Sequence, residues 1–207
     1  MGQPRLLCRW KALHYAAKRF YEPVMLSIED AGTCMGLHVT SDLVHAWQGE
    51  IRWRLEQIDG HVLQAGSLDV AAAPLANTHV ASLDFANVIS DSNKRQVIFV
   101  AELWEQGRVN IVKLATFCAN KHLELVDPQL GVTVSAEGDG RLAFTTSATS
   151  LARFVELEVA GADVVFSDNY FDVPANQSVT VTAALPQGMT LEQVQQAMRV
   201  RSLYQSY

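Results

Sequence analysis

Apolar residues near the start of the chain recur three and four positions apart, the spacing of one face of an α-helix. The members of this stripe are Trp10, Leu13, His14, Ala17, Phe20 and Tyr21. Because Pro23 disfavours helical backbone at the residue before it, the pattern predicts a helix over residues 9–21. A helix this short is only marginally stable alone in water. We therefore expect its apolar stripe to be buried against a partner.

After Pro23 the pattern changes to strict alternation, which is typical of β-strands. The clearest case is Ile51, Trp53 and Leu55 between charged neighbours, a strand with one buried face, on which we expect Trp53 to be buried. Asp59-Gly60 suits a tight hairpin turn before a return strand over 61–70. Further strands are predicted around 35–39, over 78–84, and over 96–105 and 108–117. The last two are apolar on both faces, which places both at the centre of their sheet.

Residues 118–131 lack alternation and form the predicted linker to a second series of strands. That series is predicted around 132–134 and over 141–146, 151–159, 164–166 and 177–184, with a last strand over 199–203. Thr190 is expected to cap a short helix that ends near Ala197. Strand numbers of this order are typical of immunoglobulin-like folds. The sequence therefore predicts an all-β fold of two immunoglobulin-like β-sandwiches in tandem, preceded by a short N-terminal helix.

The composition narrows the possible partners. A net charge of −6 over 207 residues provides no basic surface for nucleic acid. No apolar run approaches the roughly 18 residues of a membrane helix, so no membrane partner is expected. Three widely spaced cysteines, Cys8, Cys34 and Cys118, indicate buried thiols rather than disulfides or a metal pair.

Few residues offer candidate chemistry. Asp168 and Asp172 share a predicted loop. In such a loop, carboxylates cap the backbone more often than they form a catalytic pair. With Asn169 between them, they could also form an oxygen-rich calcium site. Glu102 and Glu105 are three apart on a strand and point to opposite faces. The histidines form no zinc motif. Trp47, Trp104 and Tyr170 are the aromatic residues placed to stack on a sugar ring, although most aromatic side chains belong to the core.

Several segments resemble one enzyme family in the right order. Residues 9–15, which read Arg-Trp-Lys-Ala-Leu-His-Tyr, followed by basic and aromatic residues and Pro23-Val24, resemble the last helix of the catalytic barrel in β-mannosidases of glycoside hydrolase family 2. Residues 37–42 and 49–55 are similar to the sandwich that follows the barrel. Residues 166–174, 179–181 and 199–204 resemble the terminal immunoglobulin-like domain of the same enzymes.

The resemblance implies three parts: residues 1–22 as the terminal helix of a barrel that lies outside the chain, and sandwiches over 23–120 and 121–207. It implies a non-catalytic role, in which the chain braces the barrel of a parent that removes terminal β-D-mannose with retention. The family's catalytic glutamates have no counterpart here, so no catalytic, substrate-binding or metal residue and no cofactor is assigned, and the chain alone is expected to be inactive.

Expected partners are the parent's barrel, a mannoside at the rim of its active site, and a second copy of the chain through the exposed helix. The alternative is a free-standing carbohydrate-binding or protein-interaction sandwich. The compartment stays open between the cytoplasm and the periplasm of a bacterium.

Overall fold

The computed structural model describes residues 10–206, which divide into two compact units. One unit contains residues 19–126, and the other contains residues 127–206 together with residues 10–18. The predicted tandem of immunoglobulin-like sandwiches after a short helix is confirmed.

The α-helices are α1 (Ala12–Phe20) and α2 (Leu191–Ala197). The strands are β1 (Val24–Ala31), β2 (Cys34–Ser41), β3 (Trp47–Gln57), β4 (Val62–Ala72), β5 (Ala76–Asp84), β6 (Val97–Glu105), β7 (Arg108–Thr116), β8 (Gly131–Gly138), β9 (Arg141–Ala148), β10 (Ala152–Val159), β11 (Phe171–Val173), β12 (Gln177–Ala184) and β13 (Met198–Arg201).

The unit of residues 19–126 packs a three-stranded sheet, in the order β1-β2-β5, with a four-stranded sheet, in the order β4-β3-β6-β7. As the alternation predicts, Ile51 and Leu55 are fully buried. The prediction that both strands of the β6–β7 hairpin are central is wrong for β7, which forms the end of the sheet. Two of its apolar residues, Val109 and Val112, are exposed. Their presence in β7 is explained by the β-propensity of valine and not by burial.

Trp47 and Trp53 each depend on a nearby glycine in this sheet. The Trp47 ring lies over Gly49, where an added Cβ would come within 2.2 Å of the ring. The Trp53 ring lies over Gly66 on β4, with 2.7 Å to such a Cβ. Trp53 also packs against Phe85 and Phe99 at centroid distances of 5.9 and 6.2 Å, but it is only partly buried, short of the full burial expected.

A charged cluster lies on the same four-stranded sheet. The guanidinium of Arg54 donates to Glu56 at 2.5 Å and to Glu102 at 2.6 Å. All three side chains are largely buried, and burial raises the pKa of Glu56. Because the two carboxylates share one guanidinium, removal of Arg54 would leave two buried negative charges without their common partner.

The unit of residues 127–206 contains the sheets β12-β9-β8 and β11-β10-β13. Strand β12 has the predicted bounds, and Thr190 caps α2 through a reciprocal pair of hydrogen bonds with Gln193. The prediction of a strand over 164–166 is wrong, because these residues do not pair with a neighbouring strand. In its place the short strand β11, which the sequence did not reveal, pairs with the first half of β10.

Helix α1 packs against this second unit by the face opposite the apolar stripe. Leu13, Phe20 and Tyr21 are 75, 63 and 85% exposed, so these three residues of the stripe are not covered within the described structure. Tyr15, on the opposite side of the helix, is 1% exposed and belongs to the core of the second sandwich. Lys18, one turn further along, donates from Nζ to the carbonyl oxygen of Ser167 at 2.6 Å. The helix is thus anchored by its more polar face.

Candidate functional site

A cleft of about 280 Å³ lies where helix α1 meets strand β10 and the segment 160–170. Strand β11 pairs only with the first half of β10, so the edge of β10 at Leu157 needs another partner. The side chain of Asn169 provides it: Oδ1 accepts from the Leu157 amide at 2.8 Å and Nδ2 donates to the Leu157 carbonyl at 3.0 Å. Helix α1 lies beside this part of β10. The cleft is the space between the helix, β10 and the segment 160–170.

Three aromatic rings follow one another through this region. The centroid of Trp10 lies 5.5 Å from that of Tyr15, which in turn lies 6.0 Å from that of Tyr170. The phenol oxygen of Tyr15 accepts a hydrogen bond from the Phe166 amide at 3.3 Å, and burial raises the pKa of Tyr15. Trp10 remains 42% exposed. The cleft therefore offers an accessible ring that rests on a buried one.

The polar part of the lining centres on Glu156. Its Oε1 accepts from the Tyr170 hydroxyl at 2.8 Å, and its Oε2 accepts from Arg201 Nε at 2.5 Å. Burial, followed by the hydrogen bond to Glu156, raises the pKa of Tyr170 to about 12. Tyr170 has a left-handed backbone, with φ of 57°, and its amide donates to Asn169 Oδ1 at 2.9 Å. Lys11 and Glu158 add one charge of each sign to the lining.

The structure uses the candidate calcium ligands for internal bonds. Asp172 accepts from Arg153 Nε at 3.0 Å and from the Phe154 amide at 2.9 Å. Asp168 accepts from the Asn169 amide at 2.8 Å, and Asn169 itself is bound to Leu157. Across residues 10–206, no three side chains of His, Cys, Asp or Glu are grouped to hold a metal ion.

Of the aromatic candidates, only Tyr170 reaches the cleft. Trp47 is buried and donates from Nε1 to Glu105 at 2.6 Å. One face of Trp104 is covered by Arg52, whose guanidinium carbon lies 4.0 Å from the ring centroid. Cys34 and Cys118 are free and half-buried, short of the full burial expected, while Cys8 lies outside the described residues.

The sequence pattern does not identify Lys11, Glu156 and Glu158 as site residues, and it places Trp10 in the apolar stripe. The residues that line the cleft are about 145 positions apart in the chain, and no local pattern joins them. The available signal was the alternation of Glu156 and Glu158 with buried Val155, Leu157 and Val159 on β10. Such alternation indicates that Glu156 and Glu158 face outward, but not what lies opposite them.

In the part of the chain that is described, no helix is long and apolar enough to span a membrane.

Comparison with known proteins identifies both sandwiches. Residues 34–122 match the family described as the Mannosidase Ig/CBM-like domain, and residues 125–206 match a second mannosidase family, described as an Ig-fold domain. β-Mannosidase A of Aspergillus oryzae is 27% identical over 95% of this chain. The chain belongs to the family 2 β-mannosidases, as the region that carries their two immunoglobulin-like domains. The predicted resemblance is confirmed, and these are accessory rather than catalytic domains.

The chain spans only 23% of the length of that relative. β-Mannosidase A of Neosartorya fischeri is 25% identical, again over 95% of this chain and 23% of its own length. The β-D-mannosidase of Dictyoglomus thermophilum shares the fold with a TM-score of 0.82 at 15% identity, over 93% of this chain and 23% of that one. The exo-chitosanase CsxA of Amycolatopsis orientalis follows with a TM-score of 0.63 at 15% identity, over 91% of this chain and 26% of its own.

Proposed function

We propose that this chain is a non-catalytic region that braces the catalytic barrel of a β-mannosidase. The parent enzyme hydrolyses terminal, non-reducing β-D-mannose residues with retention of configuration. The proposal is supported by the two accessory-domain matches and by relatives that are more than four times as long as the matched region. The barrel is the first partner, and it carries the catalytic glutamates.

The observation that carries the proposal is the exposed part of the apolar stripe, namely Leu13 and Phe20 of helix α1 and Tyr21, the residue after the helix. All three side chains are more than half exposed, and Leu13 and Phe20 are seven residues apart, on the same side of the helix. Clustered exposed apolar residues of this kind mark interaction sites in soluble proteins. The opposite face is fixed to the second sandwich through Tyr15 and Lys18.

A helix held on one side and apolar on the other suits a bridge between two domains. The second sandwich supplies one support, and the barrel would cover the exposed stripe. In the isolated chain the stripe is also the surface through which two copies would associate.

The catalytic part of the proposal is tested by incubating the purified chain with 4-nitrophenyl β-D-mannoside. We expect release of 4-nitrophenol at the rate of the buffer control. Turnover that rises in proportion to the concentration of the chain, and that survives repurification, would place the chemistry in this chain and refute an accessory role.

A further inference from the structure

The cleft between helix α1 and β10 combines aromatic and charged groups in a way that fits few ligands. The rings of Trp10, Tyr15 and Tyr170 contribute the aromatic part of the lining. Its charged part comes from Lys11, Glu156 and Glu158. A wholly apolar ligand would strip water from these charged groups without replacing their hydrogen bonds, which is unfavourable.

The charges of the lining and of Arg201 beside it cancel, with two positive and two negative side chains. Glu156 is paired with Arg201 at 2.5 Å and accepts from the Tyr170 hydroxyl. Lys11 and Glu158 contribute one positive and one negative charge. The cleft therefore has no strong field that would favour an anion or a cation, and it favours a neutral ligand with many hydroxyl groups.

A pyranose ring has these properties. One face of the sugar presents C–H bonds, which pack against the π face of an indole, while its hydroxyls point outward to polar partners. Trp10 is 42% exposed, and its ring is supported by Tyr15 at 5.5 Å. Carboxylates are strong acceptors for sugar hydroxyls. The cleft volume of about 280 Å³ lies just below the roughly 300–1,000 Å³ of small-molecule sites, which suits a single sugar ring.

We propose that this cleft binds a neutral pyranose, with Trp10 as the stacking surface and with Glu158 and the Tyr170 hydroxyl as partners for sugar hydroxyls. The site lies in the second sandwich and helix α1, whereas the family described as CBM-like matches residues 34–122. The proposal rests on the proposed function only for the choice of mannosides as probes. Binding by the isolated chain requires no catalytic barrel, so either proposal can fail without the other.

The test is a calorimetric titration of the whole chain with β-1,4-linked mannobiose, and with cellobiose to separate mannose from glucose recognition. We expect saturable binding with a dissociation constant on the order of 1 mM for at least one sugar. Trp10→Ala should weaken it about five- to tenfold, the value of one aromatic contact. The matched control is Trp104→Ala in the other unit, which should leave the affinity unchanged.

Glu158→Gln provides a second, more conservative variant in case Trp10→Ala disturbs the helix. It keeps the size of the side chain, removes the charged acceptor, and should also weaken binding several-fold. Trp10 is the one tryptophan of its unit, since the others are Trp47, Trp53 and Trp104, so its fluorescence reports directly on the cleft. No saturable heat with either sugar, or equal affinity in the wild type and both cleft variants, would overturn the proposal.

Discussion

Replacement of Tyr15 by alanine tests whether helix α1 is an integral part of the second sandwich. Tyr15 is 1% exposed and packs within the core cluster that includes Val134, Phe144 and Phe166. Truncation would remove a complete aromatic side chain from this core. It would also remove the ring contact with Tyr170 and the acceptor for the Phe166 amide.

Truncation of a buried aromatic side chain to alanine costs about 3 to 5 kcal/mol, because the transfer free energy is lost and a cavity remains. Tyr15→Phe keeps the ring and loses the hydrogen bond from the Phe166 amide at 3.3 Å, so it should cost about 1 kcal/mol. For a domain of the size of the second sandwich, each kcal/mol of lost stability lowers Tm by about 4 to 8 °C. A loss of about 3 kcal/mol therefore lowers Tm by about 12 to 24 °C.

The assay is scanning calorimetry, combined with amide hydrogen exchange at Leu157 and Phe166 to localise the effect. The matched control is Leu13→Ala on the same helix, which should change stability by less than about 0.5 kcal/mol because Leu13 is 75% exposed. If Tyr15→Ala and Leu13→Ala behave alike, the helix does not stabilise the sandwich and the reasoning fails.

Three further predictions concern single sites. Gly49→Ala should destabilise the chain by about 1 to 3 kcal/mol in urea unfolding, because its Cβ would lie 2.5 Å from the Trp104 carbonyl oxygen; an unchanged midpoint would contradict this packing. Arg54→Ala should cost about 3 to 5 kcal/mol in the same assay, since two buried carboxylates lose the guanidinium that they share. A neutral result would mean that water reaches these carboxylates. Because the pKa of Tyr170 is raised to about 12, the unfolded chain loses this proton first, so stability should fall as the pH rises from 10 to 12. Tyr170→Phe should remove that part of the pH dependence in thermal unfolding, and an identical profile in the variant would refute the assignment.

Most of the fold follows from local sequence patterns. The alternation around Ile51 gives β3, and Asp59-Gly60 gives the hairpin to β4, because one buried face and one tight turn fix these elements locally. The sequence pattern does not reveal β11, because the strand is only three residues long. Its neighbour Asn169 completes the strand edge through its side chain, for which no periodicity exists.

The orientation of helix α1 and the cleft beside it could not be predicted in the same way. Periodicity identifies the apolar face of a helix but not the surface that covers it. The periodicity assigns Tyr15 to no face, although its ring is buried while its hydroxyl accepts a hydrogen bond from the Phe166 amide. The contacts that define the cleft join residues near position 10 with residues near 160, and only the tertiary structure brings them together.

The bracing role is tested most directly by co-expressing this chain with the protein segment encoded immediately before it. Size-exclusion chromatography with light scattering would then measure complex formation. We predict a 1:1 complex that is lost when Leu13 and Phe20 are both changed to aspartate, while folding of the chain is retained. A preceding segment without a barrel, or a complex that the two substitutions leave intact, would contradict the account.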